Sequence, residues 1–202
     1  MPRVSDKRER LIAAGQRLFH RRGVADTSLA DVAEESGVPM GNIYYYFKTK
    51  DELVEAVAEH QRHGIHRLFE ELDRNPQPEQ RLSKFLASFE SVREERAAYG
   101  CPVGVLCQEM TRGSDPSTAE ARAGFEQIVS WLERQFAALG FSKKRSRDHA
   151  THILAAIQGA SVVAHAFHDA NVVRSETREM RRWLAVELAS RSTRARGAEK
   201  DA

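Results

Sequence analysis

Thr27 to Leu53 reads TSLADVAEESGVPMGNIYYYFKTKDEL, and the rest of the chain is arranged around this stretch. Thr27 and Ser28 put side-chain oxygens where a helix can begin, and Ser28 with Asp31 fits a loose capping box. Leu29, Val32 and Ala33 then recur at helical spacing. Gly37 stops that helix, because glycine reaches positive φ at little cost. Pro39 starts a second helix at its first position, where a missing N–H costs nothing. Ile43 and Phe47 lie four apart on one face and should pack back onto Leu29 and Val32. Pro39, Asn42, Tyr45 and Tyr46 are left pointing elsewhere. Helix, glycine turn and short polar-aromatic helix form the helix-turn-helix layout, whose second helix enters the DNA major groove.

Upstream, a helix from Ser5 or Asp6 to Arg22 carries the apolar stripe Leu11, Ile12, Gly15, Leu18 and Phe19, and Gly23 ends it. Asp6 with Glu9 suits a capping box. Downstream, Thr49 and Glu52 make the pattern Thr-x-x-Glu at the head of a long fourth helix reaching about Asp73. The N–H groups and dipole at that helix start form a ready anion site, flanked by Lys48 and Lys50. Asn75-Pro76-Gln77-Pro78 breaks the chain, and Leu82, Phe85, Leu86 and Phe89 mark a fifth helix. Gly100-Cys101-Pro102 is the next break, before a short helical segment from Val103 to Arg112. Asp115-Pro116 looks like the start of a seventh helix, which passes through Phe125, Leu132 and Phe136 to a cap at Gly140. An eighth helix covers about Lys143 to Asp169 and a ninth about Ser175 to Ser190. No segment alternates like a strand. The expected fold is all-α, with about nine helices.

The whole chain narrows the function classes. It has 202 residues, 41% hydrophobic and 30% charged, which suits a soluble globular protein of one large domain or two small ones. No apolar run approaches the ~20 residues of a membrane span, and with charged first residues no secretory signal is expected. The expected location is the cytoplasm, and two cysteines, Cys101 and Cys107, fit a reducing compartment. The net charge of +2 is too small to advertise nucleic-acid binding, but its distribution is uneven. Residues 1–22 hold Arg3, Lys7, Arg8, Arg10, Arg17, Arg21 and Arg22 against Asp6 and Glu9. A basic leading helix suits a phosphate surface as well as it suits a solvated face.

Gly37-Val38, the run Gly41-Asn42-Ile43-Tyr44-Tyr45-Tyr46-Phe47 and Lys48-Thr49-Lys50-Asp51-Glu52-Leu53 resemble the DNA-binding signature of the TetR/AcrR family of bacterial transcriptional repressors. The likeness covers roughly residues 5–55. It implies an N-terminal helix-turn-helix domain over residues 1–48 and a helical ligand-binding and dimerisation domain over 49–192, while the small, charged composition of 193–202 leads to the expectation of a disordered tail. It also implies a regulator rather than an enzyme, a homodimer on a palindromic operator in double-stranded DNA, and release by a small, largely apolar inducer. No cofactor and no metal are expected.

Sequence is read at base edges, whereas phosphates fix register. Asn42 can pair bidentately with adenine. By resemblance, Thr27, Pro39, Met40, Gly41, Tyr44, Tyr45, Tyr46 and Lys50 match positions that meet DNA, with Ser28 and Lys48 beside them. Tyr44 suits the core as well as it suits a phosphate; Tyr45 is the firmest contact. A single recognition helix reads too few base pairs, and two-fold symmetric dimers solve this with two half-sites. The seam is expected on the last two helices, at Ala156, Gly159, Ala160, Val163, Trp183 and Val186.

The resemblance places a small-molecule pocket among the middle helices. Phe85, Phe89, Cys107, Met110, Phe125 and Trp131 would form its apolar lining, with Gln108, Gln127, Gln158 and His165 as polar anchors. The same stripe would serve equally as plain core. Gly100-Cys101-Pro102-Val103-Gly104 is similar to a feature of one drug-sensing branch of the family, that of the lincomycin-resistance repressors. His60, His63 and His66 drift around their helix at i, i+3, i+6 and do not converge on one ion. An all-helical hydrolase using these histidines as bases is the competing reading, but no nucleophile–base pair is placed by the sequence.

Overall fold

The computed structural model describes residues 6–111 and 118–198. The Asp115-Pro116 helix start and residues 199–202 of the expected tail lie outside them. Among the described residues every regular element is a helix: α1 (Asp6–Arg22), α2 (Leu29–Ser36), α3 (Met40–Tyr46), α4 (Lys50–Asp73), α5 (Pro78–Ser91), α6 (Arg93–Tyr99), α7 (Pro102–Thr111), α8 (Thr118–Ala138), α9 (Lys143–Phe167) and α10 (Asn171–Ala198). The all-α expectation holds. One expected helix is split, because α5 and α6 are separated only at Val92 (φ −105°, ψ 22°), whose N–H turns back to Glu90 O. Just before the break, Ser88 Oγ donates to Phe85 O and Ser91 Oγ to Ser88 O. Serines bonded back to the preceding turn compete with the helix ladder and bend it. The last helix is longer than its sequence suggests, running on to Ala198 rather than ending at Ser190.

The chain divides into two compact units. The first combines residues 1–74 with 99–131, so α4, α7 and most of α8 belong with the three N-terminal helices. Its core contains Leu11, Leu18, Phe19, Val32, Ile43, Phe47, Leu53 and Val57, joined by Leu106 and Met110 of α7. Gly15 lets α1 and α4 approach closely: a Cβ there would sit 3.2 Å from Val57 Cγ2. Farther along α4, Phe69 stacks on the fully buried Trp131 with ring centroids 4.6 Å apart, and Trp131 Nε1 donates to Asp73.

The second unit holds residues 75–98 and 132–202. Leu82, Phe85, Leu86 and Phe89 are buried, as their i, i+3, i+4, i+7 spacing predicts. The α9–α10 pair buries Ile153, Ile157, Ala164, Val173 and Met180. At one end of this pair, His149 sits among the rings of Phe136, Phe141 and Trp183, with centroids 4.9–5.2 Å away. Among the described residues α9 is the one helix long and apolar enough, by length and composition alone, to cross a membrane, a test that core helices pass as well. Part of its apolar surface is buried against α10, and Val162, Val163 and Phe167 are exposed.

Burial holds His149 below the ordinary imidazole value of 6.5, against the pull of Glu187 3.6 Å away. Arg145 and His152 add to the depression, whereas Asp148 opposes it. The unfolded imidazole therefore takes up a proton at a higher pH than the folded one. Stability tied to the neutral ring is present above about 6.5 and is lost as pH falls through that value. In denaturant titrations at falling pH, we expect His149→Phe to flatten the decline in unfolding free energy below that point. An unchanged decline would show that His149 does not contribute.

Candidate nucleic-acid interface

The α1–α3 helix-turn-helix is assembled by caps. Gly23 (φ +87°) turns the chain out of α1, and the Thr27 hydroxyl donates to Gly23 O at 2.7 Å. Thr27 is 1% exposed, so it closes this loop from within rather than presenting its side chain outward. Ser28 Oγ accepts from Asp31 N, and Asp31 Oδ2 accepts from Ser28 N. The loose capping box is thus reciprocal, and the Ser28 hydrogen bonds hold the Asp31 carboxyl below its ordinary range. Gly37 takes the left-handed conformation (φ +64°) and returns its N–H to Ala33 and Glu34. A Cβ at Gly37 would also lie 2.9 Å from Arg10 Nη2, which donates to Ser36 O. Arg17 pairs with Glu35 at 2.8 Å. Two cations of the basic leading helix therefore brace α2.

On α3, Ile43 and Phe47 face the core at 0% and 2% exposure, as their spacing requires. Pro39 is the residue before the first turn (φ −53°, ψ 138°), one place earlier than expected. Met40, Tyr44 and Tyr45 are 39%, 47% and 78% exposed. Nothing lies within 4 Å of a Cβ built at Gly41, leaving that surface open to close approach. Tyr46 is half-buried against the core and meets Tyr45 edge-on at 5.0 Å; Asn42 is also half-buried. One surface therefore presents Pro39, Met40, Gly41, Tyr44 and Tyr45, with the exposed Lys48 beside it.

The start of α4 differs from its sequence pattern. Thr49 Oγ1 accepts from Glu52 N, but Glu52 reaches past Thr49 to accept from Lys48 N at 2.6 Å. Lys48 Nζ donates to Tyr44 O at 2.6 Å. Lys50 Nζ donates to Val24 O and Ala25 O at 2.9 and 3.4 Å, so it is tied to the α1–α2 loop.

Sequence reasoning missed Glu109 of α7. Its Oε2 accepts from Val24 N and Ala25 N at 2.6 and 3.1 Å, across more than eighty residues. No local pattern signals such a pairing; only the positive-φ Gly23, where a Cβ would lie 2.6 Å from Glu109 Oε1, marks a crowded place.

Six of the expected pocket residues lie in the first unit and four in the second. Cys107 and Met110 line a cavity of about 10 Å³ between α4, α7 and α8, room for about one water. Burial raises the Cys107 thiol pKa. Gln108 is exposed, and Phe125 is half-buried. Gln127 Nε2 donates to Arg62 O while its Oε1 is buried without a partner; Trp131 is core. In the second unit Phe85 and Phe89 are core, Gln158 is half-buried, and exposed His165 meets Ala97 O through Nδ1 at 3.3 Å. On the expected seam, Gly159, Val163 and Val186 are exposed, Ala156 and Trp183 half-buried, and Ala160 buried. Phe167, 73% exposed, extends this surface and was not expected.

Residues 11–57 match the profile of bacterial regulatory proteins of the tetR family. Residues 78–179 match the C-terminal domain of LmrA/YxaF-like transcriptional regulators. The chain is 28% identical over 164 residues to the HTH-type transcriptional regulator LmrA of Bacillus subtilis, covering 79% of this chain and 86% of that protein. Over 62 residues, 30% of each chain, it is 45% identical to the HTH-type transcriptional regulator TtgR of Pseudomonas putida. Among solved structures, a TetR transcriptional regulator from Legionella pneumophila superposes with a TM-score of 0.79 at 19% identity, over 88% of this chain and 97% of that one. A regulatory protein TetR from Rhodobacter sphaeroides gives 0.75 at 25% identity, over 86% and 96%.

Proposed function

This chain belongs to the TetR family of bacterial transcriptional regulators and carries an LmrA/YxaF-like C-terminal domain, and on that premise we propose that it represses transcription from a palindromic operator until a small apolar molecule releases it. The observation that carries this reading is the face of α3. A soluble protein gains nothing in stability from leaving Met40, Tyr44 and Tyr45 in water around an open Gly41. A major-groove surface needs such groups: tyrosine hydroxyls for phosphates, ring and thioether faces for thymine methyls, and a bare backbone for close approach. Asn42 and Lys48 complete the contact set, Ser28 and Thr27 hold the loop beside it, and Tyr46 and Lys50 shape it from behind.

Two copies are required, and they pair through α9 and α10. Gly159 admits close helix approach, while Val162, Val163, Phe167 and Val186 supply apolar area that a lone chain leaves in water. Residues 1–48 read DNA, and the remaining helices bind the inducer and the partner in the cytoplasm, without a catalytic role. The inducer acts through its differential affinity for two conformers. The small cavity at Cys107 and Met110 is its entry in the closed form, enlarged on binding. To test the reading, the full chain is incubated at low salt with sheared fragments of its own genome. Retention of fragments sharing an inverted repeat is expected; retention of none contradicts it.

A further inference from the structure

We propose that Glu109 is a positioning residue for DNA reading: it latches α7 to the loop between α1 and α2 and so fixes the attitude of the helix-turn-helix. Residues 24 and 25 leave α1 and lead into the Ser28 cap of α2. Both of their N–H groups go to Glu109 Oε2, and both of their carbonyls accept from Lys50 Nζ. Two peptides in a loop of six residues, from Gly23 to Ser28, are thus clamped by side chains from α7 on one side and from the start of α4 on the other, with one backbone bond inside the loop, Thr27 N to Val24 O at 3.2 Å. Gly23 makes room for the carboxylate: a Cβ there would meet Glu109 Oε1 at 2.6 Å, in a conformation with φ +87° that side chains avoid.

α7 is well placed to transmit a displacement. Leu106 and Met110 flank Glu109 and are packed in the core of the reading head. Val103, Leu106, Cys107 and Met110 also line the small cavity facing Ala58 and Ile65 of α4. Anything that enlarges that cavity moves the helix that holds the loop. Neighbouring contacts tie the same end of the unit together: His20 Nε2 meets Gly100 O at 3.0 Å, and the Arg21 guanidinium lies over Tyr99. Releasing Glu109 frees two amides and leaves Lys50 as the remaining side-chain clamp from outside the loop. The loop that leads into α2 then loses one of its two side-chain clamps, while Arg10 and Arg17 still brace α2 itself.

The DNA arm of this inference rests on the operator-binding reading, so the test has two arms. In the first, hydrogen exchange at the Val24 and Ala25 amides is followed in the full, DNA-free chain. Glu109→Gln keeps an oxygen that can accept both bonds, so protection should persist; Glu109→Ala and the shorter Glu109→Asp should lose it. In the second arm, the same variants are titrated against a fragment retained by the unsubstituted protein. Glu109→Ala and Glu109→Asp should bind it on the order of tenfold more weakly, as for other coupled sites, and Glu109→Gln within about twofold of the parent. A role confined to stability would lower the melting temperature and leave affinity unmoved. Unchanged exchange at both amides in Glu109→Ala, or undiminished affinity in both shortened variants, overturns the proposal. Failure of the parent chain to bind any fragment would contradict the operator reading instead, and the exchange arm would still decide whether the latch exists.

Discussion

Replacing Tyr45 by alanine is expected to weaken operator binding on the order of tenfold to a hundredfold while leaving the melting temperature unchanged. The ring is 78% exposed and touches chiefly Tyr46, at 5.0 Å edge-on, so little packing is lost. Ile43 and Phe47 keep α3 seated from the opposite face. What disappears is one hydroxyl able to bond a phosphate and one apolar plane able to lie on a base methyl, together worth about 1–3 kcal/mol. Tyr45→Phe separates the two parts, because it removes only the hydroxyl. Fluorescence anisotropy with a retained fragment measures the affinity, and a thermal melt checks the fold. A Tyr45→Ala protein that binds as tightly as its parent would remove α3 from the interface.

The largest expected effect on stability is at Trp131. Its side chain is fully buried, its ring lies parallel to Phe69 at 4.6 Å, and its Nε1–H satisfies Asp73. Trp131→Ala leaves a cavity between α4 and α8 and removes a donor from a carboxylate. A cost of about 3–5 kcal/mol is expected from the cavity alone, or a fall in melting temperature of roughly 10 °C for a chain of this size. Trp131→Phe keeps the stacking and loses the donor, so it should cost far less, about 1 kcal/mol. Equal losses in the two variants would show that the hydrogen bond, not the packing, holds this end of α4.

The helices were largely legible because their signals are local. Gly23, Gly37 and Gly140 sit at positive φ where the apolar spacing stops, and Ile43 with Phe47 gave the buried face of α3. Local rules also set the errors. The Thr-x-x-Glu pattern at Thr49 specifies the type of cap but not the glutamate's partner, since a glutamate at that spacing can reach either of two neighbouring amides. The break at Val92 carries neither glycine nor proline and arises from serine side chains turned onto the helix ladder. The interface was legible only as a set of exposed positions. Which lysine faces outward depends on a loop 25 residues away: Lys50 is turned inward onto Val24 and Ala25, whereas Lys48 stays on the surface. Glu109 was invisible for the same reason, as its partners lie in a segment that only the packed structure brings near.

The most direct test of the account is a hydroxyl-radical footprint of the full chain on a retained fragment, with and without Tyr45→Ala. We predict two protected patches related by two-fold symmetry, one helical turn of DNA (about 34–36 Å) or a multiple of it apart, both fading in the variant at equal protein concentration. A single patch, or protection that Tyr45→Ala leaves intact, would contradict the claim that paired α3 helices read the DNA.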